Sequence, residues 1–238
     1  MNRLATALAG ASVCVVPGVA YSQVVTSSVF GDSADYEIRR DLLTGDLQAR
    51  DGSATVLDVA EDFGFDELEL RAIFQFDFAT LADTFLSIDS AELVFTLESV
   101  DVLPSNDLDL WGSSDNRDGV VTDASPAATD EFDAASYAKL ADNIAPISNP
   151  FDTDIEYAVD LTAFITDRYS DFQASPGESV VFLRGQMDQV IATSFFNIYS
   201  GDAAGTLRPR IDITGTIPAP GTAALLASGG LLIVRRRR

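Results

Sequence analysis

The chain has no histidine, and its 238 residues include one cysteine, one tryptophan and two methionines. Lysine is as scarce, with Lys139 the single example. Without an imidazole there is no base for a serine nucleophile and no nitrogen ligand for zinc, which excludes His-centred triads and the usual zinc sites. The one thiol, Cys14, sits in an apolar run from Leu4 to Val19, behind Met1-Asn2-Arg3 and ahead of Ala20-Tyr21-Ser22. A positive charge, an apolar core and small residues in that order read as a secretory signal peptide over residues 1–22, cleaved before Gln23. Val13 is too large for the position before a lipidated cysteine, so lipidation of Cys14 is not expected. With the leader gone, the body has no disulfide, no thiol nucleophile and no cysteine ligand for a metal. No Gly-rich phosphate loop is present either.

Positive charge is also short. There are 15 basic residues against 37 acidic ones. Five of the basic residues, Arg3 and Arg235 to Arg238, lie in the two terminal segments, leaving ten against 37 in the body, a net −27. Such a field repels nucleic acid, anionic lipid and polyanionic glycans, and it attracts divalent cations. Disorder is not the consequence, because 47% of residues are hydrophobic and 15 are phenylalanine, enough to build a core. The 193 residues from Gln23 to Gly215 fit one all-β domain.

Long hydrophobic runs are missing as well. The uncharged run of apolar and small residues near the C-terminus, Thr222 to Val234, would rise ~20 Å as a helix against a hydrocarbon core of ~30 Å. Pro218-Ala219-Pro220 precedes it and Arg235, Arg236, Arg237 and Arg238 follow it. Guanidinium groups resist translocation, so the arginines hold the terminus on the cytoplasmic side while the rest is exported. This order resembles the PEP-CTERM tail, the sorting signal that exosortase processes, with Ala219 where that family often has Glu. The resemblance covers about a tenth of the chain and makes residues 216–238 a sorting segment that inserts transiently in the inner membrane. It implies an exosortase-like enzyme as partner and the cell surface or extracellular matrix as destination. An ordinary short tail anchor is the alternative.

Between the termini the sequence alternates as strands do. In Glu67 to Phe78, Leu68, Leu70, Ala72, Phe74, Phe76 and Phe78 share one face, while Glu67, Glu69, Arg71, Gln75 and Asp77 share the other with Ile73. That predicts a half-buried antiparallel strand. Ala91 to Leu97 repeats the pattern, and shorter strands are expected at Val24 to Phe30, Thr55 to Val59, Leu108 to Trp111, Ile155 to Leu161, Ser179 to Leu183, Phe195 to Ser200 and Pro209 to Thr214. Gly31, Gly52, Pro104, Pro176-Gly177, Gly201 and Gly205 punctuate them. Two short helices are expected, Phe132 to Asn143 and Leu161 to Phe172, with Asp115 to Asp130 a polar loop. The fold class is thus all-β: a jelly-roll-like antiparallel β-sandwich with one or two short helices, flanked by an N-terminal signal helix and a C-terminal sorting helix.

Arg71-Ala72-Ile73-Phe74-Gln75-Phe76-Asp77, Ser90-Ala91-Glu92-Leu93, Val159-Asp160-Leu161-Thr162, Val181 to Gly185 and Arg208-Pro209-Arg210-Ile211 follow one another in the order and spacing of DNRLRE-type domains. The body, from Ala49 to Gly215, is similar to that family, which implies a sandwich akin to carbohydrate-binding modules in a secreted or surface protein. The family's tryptophan-bearing stretch has no counterpart in Asp115 to Asp130.

Two groups of residues are candidates for a site. In Asp107 to Trp111, Leu108 and Leu110 point to the core, so Trp111 shares the outer face with Asp107 and Asp109, a placement suited to stacking on a sugar ring. The alternative is that its indole tucks under a neighbouring loop. Tyr199, near a strand end, is a second candidate. In Ser114 to Gly119, alternating oxygen side chains and a glycine make Asp115, Asn116 and Asp118 candidate calcium ligands, although Ser114 and Ser125 stand where an EF-hand needs its first and twelfth ligands. A solvated acidic turn is the alternative. No cofactor is required, and structural calcium is the one candidate. The reading is an exported, non-catalytic surface or matrix protein associated with exopolysaccharide. The alternatives are a secreted module binding a neutral glycan and a glycoside-active enzyme working through two carboxylates.

Overall fold

A computed structural model describes residues 22–32, 35–50, 54–62, 68–101, 108–116, 137–145, 153–187 and 194–218. The chain divides into two units, Val24–Ile217 and a second made of Met1–Gln23 with Pro218–Arg238; the fold below is that of the first. The predicted signal and sorting helices, most of the loop from Asp115 to Asp130, Asp118, Pro220 and Arg235 to Arg238 lie outside the described residues.

The described residues are all-β, with one α-helix. In chain order they form β1 (Ser22–Phe30), β2 (Tyr36–Asp41), β3 (Leu47–Arg50), β4 (Val56–Asp62), β5 (Leu68–Asp77), β6 (Ser87–Asp101), β7 (Leu108–Ser113), β8 (Tyr137–Ala141), β9 (Ile155–Asp160), α1 (Thr162–Ala174), β10 (Val180–Met187), β11 (Ser194–Tyr199) and β12 (Arg210–Pro218). The sheet runs β1-β12-β6-β11-β4-β5-β10-β7-β8, with the β2–β3 hairpin joined to β5 and β9 joined to β6. It curls into a half-barrel around one large core that includes Leu57, Phe74, Phe76, Leu97, Leu183 and Phe196.

β5 follows the predicted alternation on its inner face, where Ala72, Phe74 and Phe76 enter the core, joined by Phe78 just beyond its end. Its outer face is not the wet face that the pattern predicts. Glu69, Arg71, Ile73 and Gln75 are all buried, so β5 is covered on both sides. A second apolar cluster explains this: Ile73 packs with Tyr36, Ile38, Tyr137, Val180 and Phe182. The charges survive burial because they cancel, Glu69 pairing with Arg40 and, at 2.6 Å, with Arg71. Ile73, out of step with its charged neighbours, marks that second core.

The residues expected to form a helix from Phe132 to Asn143 include β8 instead, a strand over Tyr137–Ala141. Helix-forming composition gives way there to pairing with β7, where Lys139 stands opposite Trp111 and forms a 2.5 Å ion pair with the fully buried Asp109. The hairpin of β2 and β3 is not among the expected strands, although its turn is legible. Asp41 Oδ1 accepts the N–H groups of Leu43 and Thr44, and Gly45 takes φ +78°.

The second predicted helix is present as α1. Asp160, one residue before the N-cap position Leu161, accepts Thr162 N through Oδ1 at 2.9 Å and so satisfies the first N–H of the helix, and Ile165 and Tyr169 are buried against the sheet. Tyr169 meets Phe78 and Phe85 edge-on, with ring centroids 5.8 and 6.0 Å apart, and its hydroxyl accepts Phe85 N at 2.9 Å. The helix covers one end of the main core.

One carboxylate ties three segments together. Asp35 is fully buried, with Oδ1 accepting Gln75 N at 2.7 Å and Oδ2 accepting Gly201 N at 2.8 Å. Burial pushes its pKa well above the usual carboxylate range; the two N–H donors pull it back, and the neighbouring Asp32 and Asp202 push it up further. A raised pKa in the folded state means a contribution to stability that is complete below about pH 4 and is lost as pH rises through the raised value. Asp35→Asn, which cannot ionise, sets an amide N–H against one of the two donors and is expected to cost about 1–3 kcal/mol in acid. The gap in melting temperature between wild type and variant should then narrow from pH 4 to pH 8. A gap that widens with pH would contradict the assignment.

Candidate functional site

Leu108 and Leu110 enter the core as expected, and Trp111 lies on the opposite face with Asp109. The register of five strands places Trp111 in a row. Tyr36 on β2 stands opposite Ile73 on β5, Ile73 opposite Arg184 on β10, Arg184 opposite Trp111 on β7, and Trp111 opposite Lys139 on β8. The indole is therefore flanked by two cations. Arg184 Cζ lies 5.3 Å from its ring centroid and Lys139 Nζ lies 5.9 Å from it. Arg184 also lies 4.5 Å from the Tyr137 ring, buried between the two aromatics. These contacts fasten β10, β7 and β8 side by side. Trp111 is half-buried, with the Lys139 ammonium over its ring.

Tyr199 is at the end of β11, and its hydroxyl donates to Asp154 Oδ1 at 2.8 Å. That bond raises its pKa, because ionisation would set a phenolate against a carboxylate. The ring is far along the sheet path from Trp111, so the two aromatics do not form one platform.

Of the candidate calcium ligands, Asp115 is exposed and Asn116 is buried. Asn116 Nδ2 donates to the Arg168 carbonyl at 2.8 Å, and the Arg168 guanidinium donates to the Ser114 carbonyl. The loop thus holds the helix, and a guanidinium occupies the Ser114 carbonyl. Among the described residues no group of three or more acidic side chains is arranged to hold a metal ion.

Three features lie outside what the sequence pattern points to. Arg168 is a buried cation on the core side of α1, paired with Asp167 at 2.6 Å and Asp171 at 3.0 Å. Arg184 interrupts the apolar run Val180 to Leu183, the one sequence signal that it serves the second core. An open groove of about 600 Å³ lies between β8 and the start of α1, lined by Lys139, Leu140, Asp160, Thr162, Phe164 and Asp167. The Phe164 ring in this lining packs against the main core and lies under the Arg168 guanidinium. The interior offers less room: a void of about 10 Å³ among Phe74, Leu93, Phe95 and Leu108 is too small for a ligand.

No protein-family model matches this chain, and no curated protein matches it. A solved structure, the cryo-EM structure of Broad Bean Stain Virus, is similar over 90% of this chain and 97% of that chain, with 11% identity and a TM-score of 0.19. A likeness at that score carries no argument about fold or function.

Proposed function

We propose that this is an exported, non-catalytic surface or matrix protein, sorted by its C-terminal segment and held in the exopolysaccharide layer. The observation that carries the reading is the order of the tail: Pro218-Ala219-Pro220, an uncharged segment too short to span well, then Arg235 to Arg238. The N-terminal leader-like segment supports the same route. The body suits life outside the cell, with a packed β core that needs no disulfide and a net negative surface that stays soluble. Segments that resemble DNRLRE-type domains contribute to β5, β6, β9, β10 and β12. The lack of histidine and of a body thiol supports the non-catalytic part of the reading.

Mass spectrometry of the protein recovered from the producing cells' extracellular polymer fraction tests this reading. The expected product begins at Gln23 and ends before Arg235. A full-length chain that retains Arg235 to Arg238 and stays in the cytosol would defeat it.

A further inference from the structure

β1 ends the sheet path, hydrogen-bonded to β12, and among the described residues nothing pairs with its other side. β3, β8 and β9 are also outermost strands, and each has a feature that discourages a new neighbour. β8 carries Lys139, β9 carries Glu156 and Asp160, and β3 is only four residues long. Charge and brevity are the usual protection of a sheet edge. β1 has neither, since its nine residues, Ser22 to Phe30, contain no charge and no proline.

Its sequence is also self-complementary. Val24-Val25-Thr26-Ser27-Ser28-Val29-Phe30 has the same order of apolar and hydroxyl residues read in either direction from Ser27. Two antiparallel copies related by a two-fold axis at Ser27 would set Val24 opposite Phe30, Val25 opposite Val29 and Thr26 opposite Ser28. Residues directly opposite in an antiparallel pair share a face, and the structure already fixes the faces. Thr26 and Ser28 bond on one side to Thr214 at 2.8 Å and to Asp212 at 2.5 Å, while Val29 is buried in the main core with Val25 packed against it. On the first side, Val24 is 64% and Phe30 44% exposed, two large apolar side chains left to solvent.

We propose that β1 is the pairing edge of a homodimer, in which β1 of a second copy joins antiparallel in this register and continues the sheet. The occupant is a second copy because the pattern complements itself, as a two-fold interface requires. Each pair of strands would cover Val24 with Phe30 twice. The net negative charge of the two bodies opposes association, but charges more than about 8–10 Å apart are largely screened at 0.1–0.15 M ionic strength. Near the strand, Asp83, which accepts Ser27 Oγ at 2.5 Å, and Asp212 on Ser28 add negative charge, and the Arg208 guanidinium, 5.5 Å from the Phe30 ring, offsets part of it. The proposal stands on the edge and its pattern, whether or not the tail is processed.

Cysteine cross-linking in the full chain carrying Cys14→Ser reads the register directly. Ser27→Cys places its thiol opposite its own copy, where cross-strand Cβ atoms are about 4.5–5.5 Å apart, and mild oxidation should yield a covalent dimer. Val24→Cys alone would sit about 20 Å from its copy, six residues along the strand, and should stay monomeric. Val24→Cys combined with Phe30→Cys should cross-link again and stop at the dimer. Val24 and Phe30 are exposed, so their variants should melt close to the parent chain, whereas Ser27→Cys gives up the bond from Ser27 Oγ to Asp83 Oδ2 and should melt slightly lower while still folding. Failure of Ser27→Cys to cross-link in a chain that still melts cooperatively would overturn the proposal. So would Val24→Cys cross-linking as well as Ser27→Cys, or a ladder of higher species from the double variant.

Discussion

Phe78→Ala is expected to destabilise the protein by about 3–5 kcal/mol, the range for truncating a buried aromatic ring. Phe78 follows the last residue of β5, is 1% exposed, and lies where the sheet meets α1. Its ring contacts Tyr169 at 5.8 Å and Phe172 at 6.1 Å, so truncation removes both apolar burial and two aromatic pairs that carry about 0.5–1.5 kcal/mol each beyond area. The loss falls on one helix. α1 is held through Ile165, Tyr169 and this ring cluster, and its amides should exchange with solvent faster than those of β5 in the variant. Chemical denaturation followed by native-state hydrogen exchange measures both effects. A cost below about 1 kcal/mol, or equal acceleration throughout the sheet, would show that the cluster does not hold the helix.

Gly201→Ala is expected to cost about 3 kcal/mol, near the top of the range for forced overpacking. A Cβ at Gly201 would overlap the Asp32 carbonyl oxygen and come 2.5 Å from its carbon and 2.8 Å from the Gly31 carbonyl carbon. All three are backbone atoms, so no side chain can swing away. Movement of Gly201 would also break its N–H bond to Asp35, whose other oxygen holds Gln75. For a domain of this size the melting temperature should fall by about 10 °C. Gly177→Ala is the control: a Cβ at that position would have nothing within 4 Å, and its melting temperature should be nearly unchanged. Equal behaviour of the two variants would refute the close approach.

Parts of the fold are legible because they rest on local periodicity. The inner face of β5, the strand at Ala91 to Leu97 and the helix after Asp160 follow from where apolar residues recur, a pattern that neighbours reinforce. β8 reads wrongly as a helix because Ala, Lys and Leu favour one in isolation, and only the pairing of β7 with β8 and the Lys139–Asp109 ion pair reverse that preference. The polar face of β5 reads wrongly as wet because charge pattern reports polarity, whereas burial depends on what lies above it. Glu69 and Arg71 can enter a second core because each neutralises the other. Trp111 illustrates the same limit, since alternation gives its face but not its two cationic neighbours, which come from positions 73 and 28 residues away.

The residues alone establish that the body is a β protein with a net negative charge, without histidine or a usable thiol, between two segments that read as export signals. Those properties are sums over residues or short-range periodicities, and they do not depend on how the chain closes. Folding settles which polar residues are buried, which glycine is pressed against a distant backbone and which strand is left at an unprotected edge. Each of those depends on long-range pairing, in which residues far apart in sequence share one register, and no local pattern carries that register.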